Sequence, residues 1–106
     1  MGSSQKATLL GSIPFGTAIA QNDDFFGTDI VIPLDGNYGK KLIIQGVFTS
    51  SKVLEITLNG SDFVSAGSKS TLWQEEVFVY DGDILNFRCP DGGGVTVSFF
   101  RVDLVD

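Results

Sequence analysis

The chain has 106 residues, of which 42% are hydrophobic and only 19% charged, and its net charge is −6. At this length it is one domain, which buries roughly two-thirds of the surface its unfolded chain exposes and has little room for a deep cleft. Seven basic residues against thirteen acidic ones exclude a nucleic-acid footprint and binding to an anionic membrane surface, since both need clustered Lys and Arg and only Lys40 and Lys41 are adjacent.

Taken in chain order, short runs rich in Val, Ile, Phe and Thr alternate with Gly, Pro and Asp clusters, and period two recurs where period 3.6 does not. Met1 to Lys6 reads as a flexible polar arm with no signal-peptide pattern. Strands are expected at Ala7 to Ile13, Thr17 to Ala20 and Asp29 to Leu34, the last with Ile30, Ile32 and Leu34 on one face. Lys41 to Thr49 follows, apolar on both faces. Val53 to Asn59 alternates cleanly, with Leu54, Ile56 and Leu58 opposite Glu55 and Thr57. Asn59-Gly60 is a hairpin dipeptide leading to a short strand at Asp62 to Ser65. Leu72 to Tyr80, the turn Asp81-Gly82, Ile84 to Cys89 and a long final run from Val95 to Val105 complete the series. About eight strands without a helix make an all-β, single-domain antiparallel β-sandwich over 7–106, with jelly-roll topology favoured over an immunoglobulin-like one.

The final run reads as apolar on two faces, Val95, Val97 and Phe99 on one and Phe100, Val102 and Leu104 on the other. A helix-free domain has nothing internal to cover a second apolar face, and charge is scarcer here than the roughly 25% of ordinary domains. Subunit contact is therefore expected, through Phe99, Phe100, Val102 and Leu104, with Phe25 and Phe26 at its edge.

The chain contains no histidine, which removes Ser-His-Asp and Cys-His chemistry and histidine metal sites. Cys89, the one cysteine, alternates in phase with Leu85 and Phe87 and reads as a buried thiol. Glu75 and Glu76 are adjacent on a strand, so they face opposite ways and cannot flank one sugar as a glycosidase pair must. Asp23, Asp24, Asp81, Asp83 and Asp91 are turn-forming carboxylates that also offer hard oxygens to calcium. Asn59-Gly60-Ser61 matches a glycosylation sequon but reads as a turn. No catalytic, metal or cofactor site is assigned. Tyr38 and Trp73 are the aromatics that a bound sugar would stack on.

The stretch Glu76-Val77-Phe78-Val79-Tyr80-Asp81-Gly82-Asp83-Ile84-Leu85-Asn86-Phe87-Arg88, with the Phe-rich ending Val97-Ser98-Phe99-Phe100-Arg101-Val102, resembles the Gly-Asp hairpin and last strand of complement-head and tumour-necrosis-factor-like trimeric jelly rolls. It also resembles small viral β-sandwich proteins of the capsid decoration, minor capsid, spike and fibre-head kinds. The resemblance covers about 30 residues and implies a non-enzymatic virion structural protein, made in the host cytoplasm. It would be a homotrimer packed on other capsid proteins, without nucleic-acid contact or membrane insertion. The alternative is a carbohydrate- or receptor-binding β-sandwich module, with or without calcium.

Overall fold

Alternate side chains of an extended segment share one face, so each period-two run can bury half of itself only in a sheet. A computed structural model describes residues 6–36, 39–68 and 70–106, over 62–68 as backbone. The described residues form nine strands: β1 (Ala7–Ile13), β2 (Thr17–Ile19), β3 (Ile30–Val31), β4 (Lys40–Phe48), β5 (Lys52–Leu58), β6 (Ser61–Ser68), β7 (Trp73–Val79), β8 (Ile84–Arg88) and β9 (Val95–Val105). One sheet has the order β1-β9-β4-β7, with β2 also on β9; the other has the order β3-β8-β5-β6. All pairs are antiparallel.

β1 lies along Phe100 to Val105 of β9, and β2 along Val95 to Val97. The two therefore act as one strand broken at Pro14, Phe15 and Gly16. With that pair counted once, eight strands pass back and forth between two layers, and only the β5–β6 hairpin joins sequence neighbours within a sheet. This is the jelly-roll order. The Asn59-Gly60 turn has both residues at positive φ, 52° and 86°, as a type I′ hairpin requires. The run Asp29 to Leu34 contributes only the two residues of β3: Pro33 has no N–H to give a ladder, and its carbonyl accepts from Lys40 Nζ at 2.8 Å. β6 extends to Ser68, past the expected end at Ser65.

The final strand corrects an expectation. In β9, Phe99 pairs with Val47 but Val97 pairs with Phe48, so Ser98 is an extra residue and the strand carries a β-bulge. One inserted residue reverses the facing of everything beyond it. Val95 and Val97 before the bulge, and Phe100, Val102 and Leu104 after it, all point into the same core. Phe100, Val102, Leu104 and Phe25 are buried within this one chain, and Phe26 is half-buried against them. Five of the six residues assigned to a subunit interface are thus spent internally, and only Phe99 lies on the outer face. The apolar surplus of the sequence reflects a change of phase, and β9 has no second greasy side.

The core centres on Phe100. Its ring lies 5.0 Å from Phe25, 5.8 Å from Phe87, 5.9 Å from Phe26, 6.2 Å from Trp73 and 6.4 Å from Phe48, mostly edge to face. Gly46 makes this possible: a Cβ there would stand 3.0 Å from both Phe100 and Trp73. Phe100→Ala is expected to cost about 3–5 kcal/mol of stability, whereas Phe99→Ala costs under about 1. Denaturant titrations at two protein concentrations check this. A small, concentration-dependent loss at Phe100 would return that residue to an interface.

Candidate functional site on the outer face of the five-stranded sheet

The outward residues of this sheet form rows set by register. Val105, Lys41 and Phe78 make one; Asp103, Ile43 and Glu76 the next; Arg101, Gln45 and Gln74 the third; and Phe99 and Val47 the last. Three strands far apart in sequence thus bring two amides, two carboxylates and two cations onto one surface. Gln45 Nε2 donates to Gln74 Oε1 at 3.0 Å, Gln74 Nε2 donates to Glu76 Oε2 at 3.2 Å, and Lys41 Nζ meets Glu76 Oε1 at 3.0 Å. Arg101 donates from Nε and Nη2 to the two oxygens of Asp103, both at 2.8 Å. Exposed pairs of this kind add little stability. Their effect is to fix the direction of planar polar groups that would otherwise sample many rotamers. The Lys41 ammonium holds the Glu76 carboxyl below the ordinary carboxylate value. Phe78, 73% exposed, closes one end of the surface, and Phe99, 38% exposed, lies at the other.

The residues singled out from sequence lie elsewhere. Trp73 falls on the inner face of β7, half-buried, with its ring 6.1 Å from Phe48 and its Nε1 buried without a partner among the described residues. It packs against the core and does not stand on the outer face of the sheet. Tyr38 lies outside the described residues, as do residues 1–5 of the expected arm; Lys6 is exposed and its carbonyl accepts from the Asp106 N–H at 3.1 Å. Cys89 is fully buried, and burial raises its thiol pKa above the ordinary value.

Among the carboxylates considered for calcium, Asp83 accepts from the Tyr80 N–H at 2.9 Å, Asp91 from the Val53 N–H at 2.8 Å and Asp24 from the Phe26 N–H at 3.1 Å. The Asp83 and Asp24 bonds close local turns, and the Asp91 bond ties the β8–β9 connection to the start of β5. Asn86 Nδ2 also bridges Asp24 and Asp29 at 2.7 and 3.1 Å. Among the described residues, no three carboxylates or thiols gather as a metal site would require. Asn59 of the sequon donates to Asp83 at 3.1 Å and accepts from the Ile84 N–H at 2.9 Å, so its amide ties the β5–β6 hairpin to β8.

Lys40, beside Lys41 in sequence, is fully buried. Its ammonium is held by the Pro33 carbonyl at 2.8 Å, Asp35 at 2.6 Å and Asp81 at 2.5 Å. Burial pushes this lysine down, but hydrogen bonds and charge from Asp35 and Asp81 outweigh it and leave Lys40 above its ordinary value of 10.5. Asp81 is held below its ordinary value of 3.8, first by Lys40 and then by the Gly36 N–H.

The outer face was missed because glutamines on a strand carry no signal of their own. Only the pairing of β4 with β9 on one side and β7 on the other assembles it.

No family model and no curated protein matches this chain. Among solved structures, the chain is similar to the EclA C-terminal domain, described as a sugar-binding protein, at TM-score 0.48 and 9% identity over 100% of this chain and 81% of that one. It is also similar to a family 35 carbohydrate-binding module from Clostridium thermocellum, at TM-score 0.42 and 18% identity over 94% and 98% of the two chains. Both are distant likenesses at these values.

The Lys40 cluster sets a pH window. A raised lysine contributes stability in full below 10.5 and loses it as pH rises through its higher folded value; a depressed carboxylate contributes above 3.8 and loses it as pH falls through its lower folded value. The contribution of this cluster to stability is expected to hold a plateau between those limits and fall on both sides. Lys40→Met should lower the plateau and flatten both limbs, as measured by melting temperature against pH. An unchanged alkaline limb in Lys40→Met would show that this lysine does not set it.

Proposed function

We propose that the protein is a non-catalytic carbohydrate-binding β-sandwich module, and that the outer face of the five-stranded sheet is its glycan surface. The carrying observation is the two adjacent rows that hold Gln45, Gln74, Glu76, Arg101 and Asp103, oriented by the Gln45–Gln74–Glu76 chain and the Arg101–Asp103 pair and flanked by exposed aromatic rings. A sugar ring presents hydroxyls around its rim and C–H groups on its faces. Planar amides, carboxylates and guanidinium groups match the rim, and aromatic rings match the faces.

The surface is unsuited to hydrolysis. A glycosidase needs one carboxylic acid kept protonated by a raised pKa. Here Lys41 lowers Glu76, the opposite direction.

A second reading, a self-assembling virion subunit, has one feature in its favour. Val31 and Ile84 oppose each other on the outer face of the other sheet, 55% and 42% exposed, and Leu34, 80% exposed, lies against Gly82 in the turn before Ile84. Such a patch is where a neighbouring subunit would sit.

Gln45→Ala and Gln74→Ala are each expected to weaken glycan binding roughly tenfold, the worth of about one good hydrogen bond, with little change in melting temperature. A glycan array on the wild-type chain followed by calorimetry on the variants tests this; absence of any glycan binding rejects the reading. For the second reading, light scattering is expected to show oligomers that Leu34→Asp abolishes, and a monomer at all concentrations would reject self-assembly.

A further inference from the structure

Resting on the glycan reading above, we infer that the ligand is a neutral, extended oligosaccharide that spans the face from Phe78 to Phe99, and that neither a single terminal sugar nor an acidic glycan is its target. Two independent features carry this.

The first is charge. An acidic glycan, with sulfate or uronate groups, is recognised by cations whose hydrogen bonds point at the ligand. Both cations on this face are already committed within it: Lys41 to Glu76, and Arg101 to both oxygens of Asp103. The face is balanced, two cations against two carboxylates, while the whole chain carries −6. A polyanion would meet no uncommitted positive partner on this face and a repelling protein behind it. Hydroxyl-rich neutral chains meet the opposite situation. Each amide and carboxylate is fixed in direction yet lies at a surface where further lone pairs and N–H groups can be used.

The second is spacing. Phe78 stands opposite Lys41 and Phe99 opposite Val47, six residues farther along β4. Phe78 lies on β7 and Phe99 on β9, with β4 between them. At about 3.3 Å per residue and 4.8 Å per strand, the backbone positions that carry the rings stand roughly 22 Å apart on a diagonal. The polar row of Gln45 and Gln74, with Glu76 beside it, lies between them. An oligosaccharide of about four units or more, lying obliquely across the strands, reaches both rings and the row together. A monosaccharide reaches one ring at most. Two stacking contacts on one chain also act as linked sites, so the longer ligand gains more than the sum of separate weak contacts.

The experiment is a chain-length series measured by calorimetry. Cello-, manno- and xylo-oligosaccharides of two, four and six units are titrated into the wild-type chain, with galacturonate hexamers as the acidic arm. The expected result is that one neutral series gains roughly tenfold or more in affinity between the two-unit and the longer members, and that the galacturonates bind no better than the two-unit sugars. Phe78→Ala and Phe99→Ala should each remove that gain. Since both rings lie largely outside the core, circular dichroism and melting curves are expected to match wild type. A ligand that binds equally at every length, a preference for galacturonates, or an unchanged length dependence in both Phe variants would overturn this inference while leaving the glycan reading in place. Failure of every neutral and acidic probe to bind would count against both.

Discussion

One inserted residue in β9 decides which side chains the five-stranded sheet can bury. Without Ser98 as an extra residue, either Val95 and Val97 or Phe100, Val102 and Leu104 would point to solvent, because a strand reverses facing at every step. Burying both sets in one core keeps the strand continuous over eleven residues. A bulge also bends its strand and increases local twist. The partner on the far side responds: β1 stops at Ile13, the chain steps out through Pro14 and Phe15, and the ladder resumes with Gly16 N–H donating to Val97 at 2.8 Å. The break between β1 and β2 and the bulge in β9 lie side by side, and one local geometry accounts for both.

The aromatic centre follows from the same step. The bulge turns Phe100 inward opposite Gly46, the one position in β4 where no side chain competes for the space. Phe48, Phe87 and Trp73 approach from the strands, whereas Phe25 and Phe26 come from the β2–β3 connection. That connection is tied to β8 and its end by Phe25 N–H to Phe87 at 2.9 Å and Asn22 N–H to Cys89 at 2.8 Å. A crossing segment between the sheets is thereby fixed at both its backbone and its side chains. Gly11 lets Phe26 lie flat, since a Cβ there would come within 2.7 Å of the ring.

Strand positions were legible because alternation and turn dipeptides are local. Val53 to Asn59 carries its buried face in Leu54 and Ile56, and Asn59-Gly60 turns as its residue types require. The facing of β9 was not legible. A bulge is a relation between two strands, and the extra Ser98 is recognisable only beside Val47 and Phe48. Trp73 shows the same limit from the other side: a large amphipathic ring looks like a surface anchor until register places it opposite Gly46, inside. Lys40 reads as half of a basic pair, yet alternation makes it the inward member and Lys41 the outward one. Its charge is tolerated inside because Asp35 and Asp81, in two separate turns, close on it with the Pro33 carbonyl.

Charge is divided across the molecule in a way that bears on recognition. Asp23, Asp24, Asp29, Asp35, Asp81, Asp83 and Asp91 all lie in connections between strands, where most of them close turns or hold Lys40. The outer face of the five-stranded sheet pairs its cations and carboxylates one to one. The rims of the sandwich are therefore negative, and the face they surround is polar but balanced. A charged partner would be steered by the rims and find little to hold on the face. A partner whose recognition is written in hydroxyl groups experiences the rims weakly and the ordered amides strongly. The bulge feeds this arrangement too: by reversing β9 at Ser98 it turns Arg101 and Asp103 outward in the same step that turns Phe100 inward, so the core and the polar face have a single structural origin.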